Sequence, residues 1–111
     1  MSPQLKNKIT FLYVTAPSAS IAKNISKNLL KRKLIACANI IPKMISLYSW
    51  KKKIETTQEC VVILKTKKCC IEKIQDELEK IHPYQVPCIT EIPVGKINPE
   101  YQAWIQNQIE F

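Results

Sequence analysis

The stretch ACANIIPKMISLYSWKKKIETTQECVVILKT, residues 36–66, decides the fold of this 111-residue chain. Its first part, residues 36–50, is rich in apolar and β-branched residues and is predicted to be a strand, in which Pro42 indicates an edge position or a bulge. The lysines at 51–53 make a turn, and residues 54–66 are predicted to form the partner strand. Both segments exceed the typical strand length of about 5–6 residues, so the stretch predicts an unusually long β-hairpin.

The far end of this hairpin carries apolar side chains that the rest of one small chain cannot cover. Leu47, Tyr48 and Trp50 lie near the turn, opposite a mostly polar partner strand. Apolar clusters left exposed usually mark an interface. We therefore expect the hairpin to act as an arm that packs on another copy of the chain; the alternative is a partly exposed, mobile hairpin tip.

A strand and a helix are predicted before the hairpin, and a second helix is predicted after it. Residues 8–16 are apolar on both faces, which predicts a buried central strand. A helix is predicted after Ser18 or Ser20 as N-cap, and residues 69–81 predict a second, strongly amphipathic helix. The apolar stripe of the first helix comprises Ile21, Ala22, Ile25, Leu29 and Leu30.

The second helix is expected to end at His82, the single histidine, because Pro83 disfavours helical geometry in the residue before it. A strand is predicted within residues 86–94, and Asn98 is placed to cap a last helix. The residues expected to bury this helix are Tyr101, Trp104, Ile105 and Ile109.

The resulting order is β-α-β-β-α-β with an appended C-terminal helix. It predicts an α+β fold, a ferredoxin-like sandwich of four antiparallel strands under two helices. Residues 8–111 are expected to form one domain, and residues 1–7 a short N-terminal tail. No apolar run reaches membrane-span length, and the first residues lack a signal-peptide pattern. A cytoplasmic protein without membrane contact is expected.

Charge and cysteine content limit the partners. The net charge is +8, but Arg32 is the only arginine and the lysines are scattered, so nucleic-acid binding is not favoured over a solvated surface. The five cysteines show no C-x-x-C spacing and are expected to be reduced thiols. Cys69 and Cys70 are expected to diverge by about 100° as helix neighbours, which makes a zinc site within one chain improbable.

Several blocks together resemble, in order and spacing, the CutA family of divalent-cation tolerance proteins. The resemblance implies a ferredoxin-like subunit, related in architecture to PII signalling proteins, within a tight homotrimer. It also implies tolerance to, and binding of, copper and other divalent cations. The blocks are TAPS (15–18), LIACANIIP (34–42), SLYSW (46–50), ILKT (63–66), IHPYQVP (81–87) and YQAW (101–104).

The resemblance also suggests where copper would bind. The family's proposed ligands, a cysteine in the first strand and a histidine pair before the Pro-Tyr, correspond here to Val14, Ile81 and His82. Only His82 can ligate, and a lone imidazole gives weak, unselective binding. His82 is therefore a candidate metal ligand, a helix-terminal residue, or part of a polar cleft.

A cleft between subunits is the favoured site. Tyr84 follows His82, and a neighbour's arm could bring Tyr48 and Trp50 close to it. Glu59 and Lys65 are six positions apart on one strand and share a face, but at about 20 Å only one of them can line a given pocket.

The sequence also bears on two other functional classes. No phosphate loop, catalytic triad order or metal-hydrolase motif is present, so an enzyme is not expected. An RNA-recognition module has the same element order, and Tyr13 in the first strand fits it. The third strand of such a module needs a glycine and two aromatics, and residues 59–68 contain neither.

Overall fold

The computed structural model describes all residues, 1–111, and contains four strands and four helices. A single 3₁₀ turn, Lys68–Cys70, leads into the third helix. The elements are α1 (Pro3–Asn7), β1 (Ile9–Ala16), α2 (Ala19–Lys31), β2 (Cys37–Trp50), β3 (Lys53–Lys67), α3 (Ile71–Ile81), β4 (Ile89–Pro93) and α4 (Pro99–Gln108).

The four strands form one antiparallel sheet in the order β2-β3-β1-β4. Side chains alternate between the two sheet faces, and in β1 the residues Leu12, Val14 and Ala16 are buried against the helices. Phe11 and Tyr13 lie on the opposite face and are only half-buried. The predicted α+β, ferredoxin-like architecture is confirmed.

Helices α2 and α3 cover one face of the sheet and enclose the core. The Ser18 hydroxyl accepts the backbone N–H of Ile21, so Ser18 is the N-cap of α2. Leu30 was predicted to be buried in the helix stripe, but it is 38% exposed. It lies one position after Leu29, about 100° around the helix, and therefore faces solvent.

The long hairpin has a bulge near Pro42 and a tight lysine turn, as its sequence predicts. The register shifts between Ile41 and Met44, so a bulge forms at Pro42, which cannot donate a ladder hydrogen bond. The hairpin closes with the two-residue loop Lys51-Lys52, in which both residues have positive φ, 50° and 64°. This loop geometry matches the twist of the flanking strands.

The outer half of the hairpin extends away from the helices. We call residues 44–59 the arm: the distal parts of β2 and β3 with their turn. The molecule measures 47 × 26 × 25 Å, which is elongated for a chain of this size. Of the arm residues, none is fully buried.

Each end of the chain contains a helix. Residues 1–7, predicted to be a tail, contain the one-turn helix α1, which begins with Ser2 accepting the N–H of Leu5. Trp104 was expected in the core, but it is 44% exposed and stacks on Tyr101 at a ring-centroid distance of 5.7 Å. Because α4 covers only one end of the sheet, a single residue of the helix, Ile105, is buried.

Candidate functional site

A polar cleft lies at the base of the arm. Three residues predicted to belong to a site, Tyr48, Glu59 and Tyr84, line it together, and its volume is about 480 Å³. Tyr48 and Glu59 lie on the same face of the hairpin, because Tyr48 pairs with Glu55 and Glu59 is four residues further along β3. Tyr84 reaches the cleft from the segment after α3. The contribution of Tyr48 comes from the same chain, whereas a neighbour's arm was expected to supply it.

A hydrogen bond joins the two main polar groups of the cleft. The Tyr84 hydroxyl donates to Oε2 of Glu59 at 2.7 Å. Desolvation of the phenol raises the pKa of Tyr84, and the hydrogen bond to Glu59 and the negative charge of that carboxylate raise it further. The phenol therefore stays protonated and holds the carboxylate in a fixed orientation. Oε1 of Glu59 has no such partner and remains able to accept a hydrogen bond.

His82 is held beside the cleft by both of its ring nitrogens. It follows α3 as C-cap and is only 7% exposed. Nε2–H donates to the carbonyl of Thr15 at 2.7 Å, and Nδ1 accepts the N–H of Tyr84 at 3.1 Å. These partners define the neutral tautomer with its proton on Nε2. His82 thereby links α3 to the end of β1 and sets the direction in which Tyr84 leaves the helix.

The residues of one chain do not fit a copper site at His82. Each ring nitrogen is already in a hydrogen bond, so a metal would have to break one of them. Val14 is completely buried and apolar, and Ile81 offers no ligand. No group of three or more His, Cys, Asp or Glu side chains is arranged to hold a metal ion. Metal ligation by His82, which the sequence suggested, would require one of these two hydrogen bonds to break.

Lys65 belongs to a different place in the molecule. Its Nζ donates to the Tyr101 hydroxyl at 3.0 Å and lies over the rings of Tyr101 and Phe11, 5.2 and 5.5 Å from their centroids. Lys65 therefore holds α4 against the open face of the sheet through a cation–π contact. It does not reach the cleft, as the spacing from Glu59 indicated.

Trp50 lies at the tip of the arm, away from the cleft. It pairs with Lys53 across the turn and is 60% exposed. Its indole has no aromatic partner within the chain. The predicted site residues of the arm therefore lie in two places. Tyr48 and Glu59 line the cleft at the base of the arm, whereas Trp50 lies at its uncovered apolar tip.

Three cleft residues were not anticipated: Pro17, Thr57 and Gln58. Thr57 and Gln58 belong to the polar start of β3, which carried no signal beyond strand propensity. Pro17 ends β1, and a proline after a strand marks a turn but no ligand site. These residues become neighbours only when the two hairpin strands and the β1–α2 turn meet in space.

The chemistry of the cleft favours a positively charged or hydrogen-bond-donating ligand. Glu59 is its only ionisable carboxylate, and no lysine or arginine lines it. An anion such as phosphate would find no compensating charge there. One carboxylate alone does not complete the coordination shell of a metal ion, which takes four or more ligands.

The fold and this site define a class of small ferredoxin-like subunits with a projecting hairpin arm and a polar cleft at its base. The chain belongs to the CutA family: the family model described as "CutA1 divalent ion tolerance protein" matches residues 10–108. The resemblance found in the sequence blocks is confirmed. None of the helices of this chain has the length and apolar character needed to span a membrane.

Three relatives illustrate the similarity. The "Protein CutA homolog" of Xenopus laevis is 34% identical over 101 residues, which are 91% of this chain and 67% of that protein. A crystal structure of CutA1 from Ehrlichia chaffeensis shares 37% identity with a TM-score of 0.88, covering 91% of this chain and 94% of that one. The Archaeoglobus fulgidus CutA structure, described as a periplasmic divalent cation tolerance protein, shares 39% identity with a TM-score of 0.88, covering 92% and 99%.

Proposed function

We propose that this divalent-cation tolerance protein works as a homotrimer whose arms pack between subunits and whose clefts bind a cationic ligand. The observation that carries the proposal is the uncovered apolar surface of the arm. Burying a large apolar side chain is favourable by about 1.5–3 kcal/mol, and a second copy of the chain can supply the missing surface. The most exposed apolar arm residues are Ile45 at 66%, Leu47 at 68%, Trp50 at 60% and Ile54 at 78%.

The distribution of these residues favours a closed ring over a twofold dimer. Tyr48 and Trp50 lie on one face of the hairpin, whereas Ile45, Leu47 and Ile54 lie on the other, as the pairing register requires. A twofold interface uses one self-complementary patch, whereas a ring gives each chain two different interfaces. An arm that is apolar on both faces suits the second arrangement. The number three is supported by the family resemblance.

Assembly would also complete the cleft. Tyr48 is 43% exposed, so the rim of the cleft is open on the arm side. A neighbouring subunit packed on the arm would close this rim and desolvate Glu59, which strengthens its attraction for a cation. The family description names tolerance to divalent ions, and divalent cations are the ligands that we propose for the cleft. Glu59 is the residue that we expect to contact them, with Tyr84 fixing its orientation.

The experiment that tests assembly is sedimentation velocity on wild type, Trp50→Ala and Trp50→Phe. Hot-spot side chains at interfaces contribute about 2 kcal/mol or more, so Trp50→Ala should weaken association by about 30-fold or more. Trp50→Phe keeps an apolar ring and should retain most of it. Unchanged assembly of Trp50→Ala would remove the arm tip from the interface.

The experiment that tests the cleft is a calorimetric titration of divalent cations into wild type and Glu59→Gln. Glutamine keeps the shape and can still accept the Tyr84 hydrogen bond, but it lacks the charge. We expect the variant to lose most of the binding. Equal binding by Glu59→Gln would exclude the cleft as the cation site.

A Cu²⁺ titration of His82→Ala decides the prediction that His82 is a ligand. Because both ring nitrogens are held by Thr15 and Tyr84, we expect the variant to bind Cu²⁺ as wild type does. Loss of binding in a folded variant would establish His82 as the ligand.

Two remaining expectations stand as part of this proposal, and one alternative does not. Absence of catalytic activity is proposed, since the family description names tolerance and no reaction. A cytoplasmic location is also proposed, although the Archaeoglobus relative is described as periplasmic. The RNA-binding alternative gains no support, because the third strand carries no aromatic ring on the open face of the sheet.

A further inference from the structure

Two cysteine thiols lie unexpectedly close at the start of α3. Cys69 and Cys70 were expected to point apart as neighbours on a helix, but their Sγ atoms are 3.9 Å from each other. The 3₁₀ turn at Lys68–Cys70 precedes the regular helix, and rotation about each Cα–Cβ bond brings the two sulfurs to the same side. Cys70 is fully buried, whereas Cys69 is half-buried.

A disulfide does not explain this proximity. Adjacent residues have Cα atoms about 3.8 Å apart, which is shorter than the about 4.4–6.8 Å that disulfides normally span. Closing the bond would also bring the sulfurs from 3.9 Å to about 2.05 Å and distort the turn. A bridging atom that leaves the sulfurs where they are fits the geometry better.

We propose that Cys69 and Cys70 together bind a soft, thiolate-preferring metal ion, for which Cu(I) is the suitable probe. Two thiolates bound to a tetrahedral metal at about 2.3 Å have their sulfurs about 3.8 Å apart, close to the 3.9 Å found here. Thiolate and thioether ligands select soft ions such as Cu(I). The pair is thus already placed to chelate one ion.

The surroundings give the ion a route to the Cys69 sulfur, beside which the Cys70 sulfur is buried. Cys69 lines an open cavity of about 360 Å³ together with Lys6 and Lys73. Met1 lines the same cavity and brings a soft thioether sulfur to it.

Proton release makes binding pH-dependent. Burial and the neighbouring Cys69 together raise the pKa of Cys70 to about 11. Formation of each sulfur–metal bond releases the proton of that thiol to solvent. One metal ion replaces two protons, so affinity should rise with pH.

This site is separate from the proposed cleft. The thiols lie at the first turn of α3 and His82 follows its last turn, about 18 Å away at 1.5 Å per residue. All parts of the thiol site belong to one chain, so binding does not require the trimer. Trp50→Ala should therefore bind Cu(I) as wild type does, and failure of the assembly proposal would leave this one intact.

The test is an anaerobic Cu(I) titration against a chromophoric Cu(I) chelator, with the ultraviolet thiolate-to-copper charge-transfer band as a second readout. We expect one tight site per chain in wild type. Changes outside the first coordination shell reduce metal affinity about 10–100-fold, so Cys69→Ser, which removes a ligand, should weaken binding by at least about 100-fold. Cys88→Ser removes an exposed thiol elsewhere and is the matched control.

Cys69→Ser is the decisive variant because Cys69 is only half-buried, lies outside the cluster of fully buried core residues, and serine is nearly the same size. Cys70→Ala supports it, provided that circular dichroism shows a folded chain. Retention of the tight site and its absorption band in Cys69→Ser would overturn the proposal. So would loss of the site in Cys88→Ser with Cys69 and Cys70 present.

Discussion

The two halves of β3 have the same secondary structure but opposite environments. Val62 and Leu64, in the half that crosses the core, are completely buried, whereas Ile54 near the arm tip is 78% exposed. The inner half has β1 on one side and β2 on the other, while the outer half has only β2. Strand formation therefore depends on the local sequence and on pairing with β2. Burial of the side chains depends on whether further strands and helices pack beside the strand.

The arm is consequently the part of the fold that is incomplete in a single chain. A two-stranded hairpin alone is marginally stable in water, and this one exposes apolar residues on both faces. The core, by contrast, contains a continuous cluster of buried side chains and needs no partner. Stability should reside in the core, and association in the arm.

The largest effect is expected from a change in the core half of β3. Leu64→Ala removes a completely buried side chain and should lower the free energy of unfolding by about 3–5 kcal/mol, measured by urea denaturation. The matched control is Leu30→Ala on the outer side of α2, which should change it by no more than about 0.5 kcal/mol. Similar losses in both variants would contradict the placement of the core.

The next effect separates the two faces of the arm. Leu47→Ala lies on the face opposite Trp50, and in a ring it should weaken association about 5–30-fold, equivalent to about 1–2 kcal/mol. Its effect should depend on protein concentration, whereas that of Leu64→Ala should not. Full association of Leu47→Ala in sedimentation velocity would argue for a one-faced dimer.

A smaller effect is expected at the base of the arm, where core and arm meet. Tyr84→Phe removes the hydrogen bond to Glu59, and because the pair is only half-buried it should destabilise the protein by about 1 kcal/mol. Tyr13→Phe is the control, since the Tyr13 hydroxyl contacts only the Met44 sulfur at 3.5 Å. Equal losses of stability in both variants would show that the hydrogen bond to the Glu59 carboxylate does not stabilise the protein.

The same hydrogen bond predicts a loss of stability at high pH. The pKa of Tyr84 is raised in the folded chain, so below about pH 10, the ordinary tyrosine value, the stabilisation is fully present. Above that pH the unfolded phenol ionises first and stability falls. Tyr84→Phe should flatten this fall relative to Tyr13→Phe in urea denaturation between about pH 9 and 11.

The smallest effect belongs to the sheet edge far from the arm. Hydrogen bonds from Lys68 and Thr10 lower the pKa of Glu91. The stabilisation is present above the ordinary carboxyl pKa of about 4.3 and is lost as pH falls through the lower folded value. Glu91→Gln should therefore lose less than about 1 kcal/mol at neutral pH and show a weaker acid dependence; an unaltered acid profile would contradict the assignment.

Periodicity and proline placement predicted most of the fold. The helix end at His82, the bulge at Pro42 and the buried face of β1 follow from constraints that act over a few residues; the apolar residues on the other face of β1 suggested burial there too, but Phe11 and Tyr13 are only half-buried. Trp104 was placed wrongly because its helical spacing fits a core stripe, but α4 has too little sheet beneath it to bury that position. Helical spacing identifies which residues share a face of the helix, but it does not show whether another element of the fold covers that face.

The candidate site was predicted only in part for the same reason. Tyr48, Glu59 and Tyr84 were named, but the hydrogen bond between Glu59 and Tyr84 spans 25 positions and depends on where α3 ends relative to β3. The proximity of the Cys69 and Cys70 thiols depends on side-chain rotation within a 3₁₀ turn. Neither relation has a signal in the order of residues.

The most direct test of the central claim is sedimentation equilibrium of Trp104→Phe, combined with its fluorescence, because Trp50 is then the only indole. If the arm is completed by other copies of the chain, micromolar protein should have the mass of three chains and the emission of Trp50 should be that of a buried indole. A well-folded particle of 12.8 kDa with solvent-exposed Trp50 emission at the same concentration would contradict it.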